Sequence, residues 1–143
     1  MKSQGFTLIE LIIILVIIGI LAVSASPIFI SDSGTKSQSA RLQAMSILRS
    51  IQQQAMQNTG DTENNIELQV TQTTLGVPPY NEDNNLQISN SGIEFSPAGL
   101  TIGFDGLGRP ARDCKGGCTI TLKESSGIER VISINKEGFI NAQ

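Results

Sequence analysis

The pattern of apolar and polar positions changes twice along the chain. From Leu11 to Ser31 no residue is charged, and as a helix rising about 1.5 Å per residue this stretch reaches roughly 31 Å. That is enough to cross the hydrocarbon core of a bilayer. From Asp32 to about Thr59 the pattern becomes amphipathic: Leu42, Met45, Leu48, Ile51 and Ala55 recur every three or four residues among Arg41, Gln43, Arg49 and Gln53. The spacing predicts a continuation of the same helix, with an apolar stripe to pack on a sheet and Gly60 closing it as a C-cap. Pro27 lies in the apolar half. Proline removes a backbone hydrogen bond and crowds the preceding turn, so a kink or local melting is expected near Ser24 to Pro27.

Beyond Gly60 the period shortens to two. Ile66, Leu68 and Val70 alternate with polar residues, as do Leu86 with Ile88, Ile93 with Phe95, and Leu100, Ile102 and Phe104. Ser89 to Gly92 reads as a hairpin turn, and E-S-S-G as another between Cys118–Lys123 and Ile128–Asn135. A short Phe139-Ile140 segment follows. Gly76 to Asn85 is the longest expected loop. These signals predict five to seven short antiparallel strands packed on the helix, an α+β arrangement.

Charge adds a partition. The formal net charge is −3, but from Ile51 to Gly108 there is no Lys or Arg, while Asp61, Glu63, Glu67, Glu82, Asp83, Glu94 and Asp105 are acidic. Only Arg109, Arg112 and Lys115 stand close together as cations, a poor match to a phosphate-binding surface, so nucleic acid is not an expected partner. The chain has no His, which removes Ser-His-Asp and Cys-His catalysis. G-F-D-G-L-G reads as a turn, since it leads to Arg109-Pro110 and opens no helix. Asn81 to Asn84 offer oxygens but lack EF-hand spacing. No catalytic residue, metal site or cofactor is expected.

The first residues carry the most specific signal. A secretory signal peptide, with Lys2 as its basic region and S-A-S as its cleavage site, is the competing reading. Against it, the apolar run exceeds the usual length, and Glu10 lies inside its front edge at a cost of a few kcal/mol in hydrocarbon. The stretch M-K-S-Q-G-F-T-L-I-E-L-I-I-I-L-V-I-I-G-I-L-A resembles the amino-terminal signature of type IV pilins and of type II secretion pseudopilins. The resemblance implies cleavage between Gly5 and Phe6 by a membrane-embedded prepilin peptidase, and N-methylation of Phe6 by the same peptidase/methyltransferase. Glycine at the cut suits a tight peptidase site, where a Cβ would crowd the backbone. Glu10 is expected to accept an ion pair from the Phe6 amine of a neighbouring subunit; snorkelling to the headgroups is the alternative. Lys2 orients the span with its carboxyl end outside the cytoplasm.

The layout as a whole resembles the pilin fold: a long N-terminal helix, membrane-spanning in its first half, on a small antiparallel sheet. It implies a leader over 1–5, a transmembrane assembly helix over 6–31, and a periplasmic domain over 32–143 made of an amphipathic helix (32–59) and a β-rich part (60–143). I-G-F-D-G-L-G-R-P and V-I-S-I-N-K-E-G-F-I resemble the minor-pilin branch that includes GspH, FimT and the minor pilins of the mannose-sensitive haemagglutinin pilus. The implied partners are other major and minor pilins and the inner-membrane assembly platform. The implied place is the inner membrane, then a pilus or pseudopilus. A tip adhesin or DNA-binding pilin is the alternative, though G-F-I-N-A-Q lacks the carboxyl-terminal arginines of DNA-binding members. Export would permit a Cys114–Cys118 disulfide, and without His the pair cannot complete a zinc site.

Overall fold

The computed structural model describes residues 6–30, 34–58, 66–81, 83–89 and 92–143, with the side chains of 23–30 outside the description. Contacts divide the chain into two units, Met1–Ser33 and Gly34–Gln143.

The first unit contains helix α1, Leu8–Ile30. Among the described residues its large apolar side chains, Leu8 to Leu21, are all exposed, from 40% for Ile14 to 77% for Leu8. A helix apolar on every side has no solvated face to offer water. The helix continues through residues 24–27, where a kink or melting is expected, and the side chain of Pro27 lies outside the described residues. Among the described residues no helix is long and apolar enough to cross a membrane. The segment expected to do so, 6–31, includes residues 23–31, whose side chains are not described.

The second unit opens with α2, Thr35–Gln57. The expected single helix from 6 to 59 is therefore two helices. Gly34 stands before α2 with φ 94° and ψ −14°, a left-handed conformation that cannot continue a right-handed helix. A Cβ there would lie 3.2 Å from Ile128 Cδ1. The helix ends at Gln57, with the Asn58 N–H donating to the Gln54 carbonyl at 3.0 Å; Gly60 lies outside the described residues. The buried stripe comprises Ser37, Ala40, Ala44, Met45, Ile47, Leu48, Ile51 and Ala55. Leu42, expected in it, is 57% exposed. Two residues beyond Ala40 is about 200° around the helix, so it faces away from the stripe.

Nine strands are described, more than the five to seven expected, and they form two sheets rather than one. In chain order they are β1 (Leu68–Val70), β2 (Thr74–Gly76), β3 (Gln87–Ser89), β4 (Ile93–Ser96), β5 (Leu100–Phe104), β6 (Pro110–Arg112), β7 (Gly117–Glu124), β8 (Glu129–Asn135) and β9 (Ile140–Ala142). One sheet has the order β3-β2-β1-β5-β6 and the other β4-β7-β8-β9. Every pairing is antiparallel. The missed strands are β2 and β6. Each has three residues, and β6 starts with a proline, tolerated because the strand is at an edge. The loop after Gly76 does close a hairpin, β2–β3, and the Val77 N–H donates to the Leu86 carbonyl at 2.9 Å. The hairpin expected at Ser89–Gly92 does not form, because β3 and β4 belong to different sheets.

α2 packs against strands of both sheets, including β5, β7 and β8. Leu48 and Ile51 meet Leu68, Ile102, Phe104, Phe95, Ile120 and Ile132 in one core, each of them at most 2% exposed. Burying a side chain of this size contributes about 1.5–3 kcal/mol, so this layer, not helix propensity, holds α2 in place.

Candidate assembly site

The start of α1 is organised by Thr7 and Glu10. The Glu10 N–H donates to Thr7 Oγ1 at 3.4 Å, while the Thr7 N–H and hydroxyl donate to Glu10 Oε2 at 3.5 and 3.4 Å. This is a capping box, in which two backbone donors without helical partners are satisfied reciprocally. Its signal is plain in T-L-I-E, Ser/Thr-x-x-Glu before an apolar run, but sequence reasoning directed at the charge of Glu10 missed it. The acid also lies in the first turn of α1, where the helix dipole favours negative charge. Glu10 has no ion pair among the described residues. In the uncut chain Phe6 N is a peptide nitrogen, so the expected amine partner does not exist before cleavage. The Phe6 side chain is 75% exposed. Gly5 lies outside the described residues.

Cys114 and Cys118 are joined by a disulfide, with Cα atoms 5.1 Å apart. Cys114 follows β6 and Cys118 is in β7, so the bridge closes the crossing from the first sheet to the second. Within the ring, Gly117 has φ 110°, and a Cβ would stand 2.9 Å from the Ile134 carbonyl oxygen. Only glycine fits that approach.

The cations near this loop are largely engaged. Arg109 Nε lies 2.9 Å from Asp105 Oδ2, and Arg112 lies 2.5 Å from Glu67 Oε1. Asp105 Oδ1 also accepts the N–H groups of Leu107 and Arg109 at 3.0 and 2.8 Å. Slight burial opposes ionisation of Asp105, but these bonds and the Arg109 charge outweigh it and hold the carboxyl below its ordinary value. Lys115 remains exposed. Among the described residues no group of His, Cys, Asp or Glu could hold a metal ion.

Residues 1–26 match the family model of the prokaryotic N-terminal methylation motif. No curated protein matches the chain. Two crystal structures of the type IV minor pilin FimU of Pseudomonas aeruginosa resemble the fold, in space groups P21 and P65. They are 15% and 16% identical, each with a TM-score of 0.54 over 74% of this chain, and cover 87% and 91% of their own. The chain thus carries the prokaryotic N-terminal methylation motif over residues 1–26, and its fold resembles that of the minor pilin FimU.

Proposed function

We propose that the chain is a minor pilin or pseudopilin subunit, cut between Gly5 and Phe6, methylated on the Phe6 amine and assembled with other pilins. In this reading 1–5 is the leader, 6–31 spans the inner membrane and then joins the filament, and 32–143 is its periplasmic domain. The partners are the prepilin peptidase/methyltransferase, major and minor pilins, and the inner-membrane assembly platform. The filament is a type IV pilus, such as one of the mannose-sensitive haemagglutinin type, or a type II secretion pseudopilus.

The observation that supports this reading is the order of parts: a methylation motif over residues 1–26, a helix whose described large apolar side chains are all exposed, and a domain whose fold resembles that of a minor pilin. Exposed apolar surface of that extent needs either lipid or other helices around it. After cleavage, a Phe6 amine buried among such helices needs a carboxylate, and Glu10 is the one acid between Phe6 and Ser31. Pro27 supplies a place where the helix can bend on leaving the membrane. The adhesin or DNA-binding alternative finds less support, since Arg109 and Arg112 already pair with Asp105 and Glu67.

The test is to fractionate cells that express the full chain, with and without an active prepilin peptidase. The chain should enter sheared filaments or the assembled secretion apparatus only when the peptidase is active. Recovery as a free periplasmic protein in both strains would refute the assignment.

A further inference from the structure

The bonds at the start of α1 set where the helix stops relative to the Gly5–Phe6 bond. Leu8 is the first helical residue, and Phe6 and Thr7 stand outside the helix. The Leu11 N–H donates to the Thr7 carbonyl at 3.3 Å, the first bond of the helical ladder, so Thr7 is the N-cap. The preceding donor, the Glu10 N–H, fixes the boundary. To lengthen the helix by one residue it would have to reach the Phe6 carbonyl, four residues back. It goes instead to Thr7 Oγ1 at 3.4 Å. Glu10 Oε2 completes the box on the N–H and hydroxyl of Thr7 at 3.5 and 3.4 Å, so the Thr7 donor is also taken before a longer helix could turn it back toward the leader.

The surroundings give this boundary a consequence. In hydrocarbon an unpaired backbone donor is costly, so an apolar helix gains by running on until something caps it. The residue ahead of the cap offers no stop of its own, since Phe6 is apolar and its side chain 75% exposed. Proteolysis has the opposite requirement. A peptidase must grip the N–H and C=O groups on both sides of the bond it cuts, and in a helix those groups are engaged within the chain. Substrate segments are bound extended for this reason.

We propose that Thr7 is a positioning residue for leader removal: its hydroxyl ends α1 just after Phe6 and keeps the Gly5–Phe6 bond free of the helix. It acts through the helix boundary and takes no part in breaking the bond. The motif then divides its work, with Gly5 admitting the backbone to a tight site and Thr7 setting where the helix begins. This inference rests on the cleavage reading above and adds one residue to it.

The experiment uses the full chain in membranes with an active prepilin peptidase, and follows initial rates of leader removal by gel mobility. Thr7→Val keeps the shape and removes the hydroxyl, and Thr7→Ala removes both. Thr7→Ser and Thr7→Asn keep a capping oxygen on a different side chain. Uncut precursor in the membrane pellet is the reference for each rate, so a variant that inserts poorly is not counted as one cut slowly. The valine and alanine variants should be cut about fivefold more slowly, the effect of one helix cap, with the serine and asparagine variants close to wild type. Equal rates for all five chains would overturn the inference. So would serine and asparagine variants slowed as much as the valine variant, since the peptidase would then be reading threonine itself. A wild type that is not cut between Gly5 and Phe6 would instead overturn the cleavage reading.

Discussion

Glu124 Oε2 accepts the backbone N–H of Gly34 at 3.2 Å, across 90 residues of sequence. α2 has no side-chain cap from its own N-terminus and no acid in its first turn. A carboxylate from the end of β7, only 5% exposed, takes that place. It lies where the helix dipole is positive, and it fixes the first residue of the head to the β7–β8 hairpin. Ser37 Oγ, also buried, donates back to the Gly34 carbonyl at 3.1 Å.

Glu124→Ala should therefore cost about 1–2 kcal/mol, the range of a lost helix cap. For a domain of this size that is a fall in Tm of several degrees, about 4–8 °C per kcal/mol. Glu124→Gln retains an acceptor and should cost less. Thermal melting followed by circular dichroism decides it, and equal melting of the alanine variant and wild type would show that the bond contributes nothing.

The Cys114–Cys118 ring is short, and loop-closure entropy assigns it about 2 kcal/mol. Cys114→Ser with Cys118→Ser should lower the unfolding free energy by that amount and leave strand content unchanged. Because the bridge closes the crossing between sheets, amide exchange should rise first in β6 and at the start of β7. A uniform rise through β8 and β9 would contradict this placement.

Much of the fold is readable from periodicity, and the failures have physical causes. Ile120, Leu122, Ile132 and Ile134 alternate cleanly because one face of β7 and β8 is buried and the other wet, and their hairpin forms around Glu124–Gly127 as expected. Thr74–Gly76 and Pro110–Arg112 are too short to show a period, and their pairing is set by β1, β3 and β5. The division into two sheets leaves no local trace. Ile88 and Ile93, on either side of the Ser89–Gly92 tract, look like hairpin partners in sequence, yet Ile88 pairs with Leu75 and Ile93 with Glu124. The break at Gly34 is concealed because the next helix, α2, begins directly after it at Thr35. At the start of α1 the Thr7–Glu10 box is written in T-L-I-E, but reading it needs the helix start to be located first.

The Asp105 turn should depend on pH. Its carboxyl is held below the ordinary value of 3.8, so the bonds it accepts contribute fully above that value and are lost as the pH falls through the lower, folded-state value. Amide exchange at Leu107 and Arg109 should accelerate below about pH 4 while exchange in β5 holds. Exchange that is flat down to strongly acidic pH would contradict the turn.

Glu10→Ala separates the two roles of this residue. In the single chain it removes one arm of the capping box and an acid from an apolar helix. The first costs about 1 kcal/mol and the second eases membrane insertion by a few, so leader removal and insertion should stay near normal. In the filament it leaves the Phe6 amine of a neighbour without its partner, a loss of about 3–5 kcal/mol. Crosslinking to other pilins and filament yield should therefore fall sharply. Normal incorporation would favour the snorkelling alternative.

A prepilin loses its leader and gains a methyl group, and both changes are read in the mass of the mature amino terminus. Tandem mass spectrometry of the membrane-bound protein should find a first residue of Phe6 bearing an added methyl group on its amine. A chain that begins at Met1, or one cut after Ser26, is not a processed prepilin, and either result would refute the assignment.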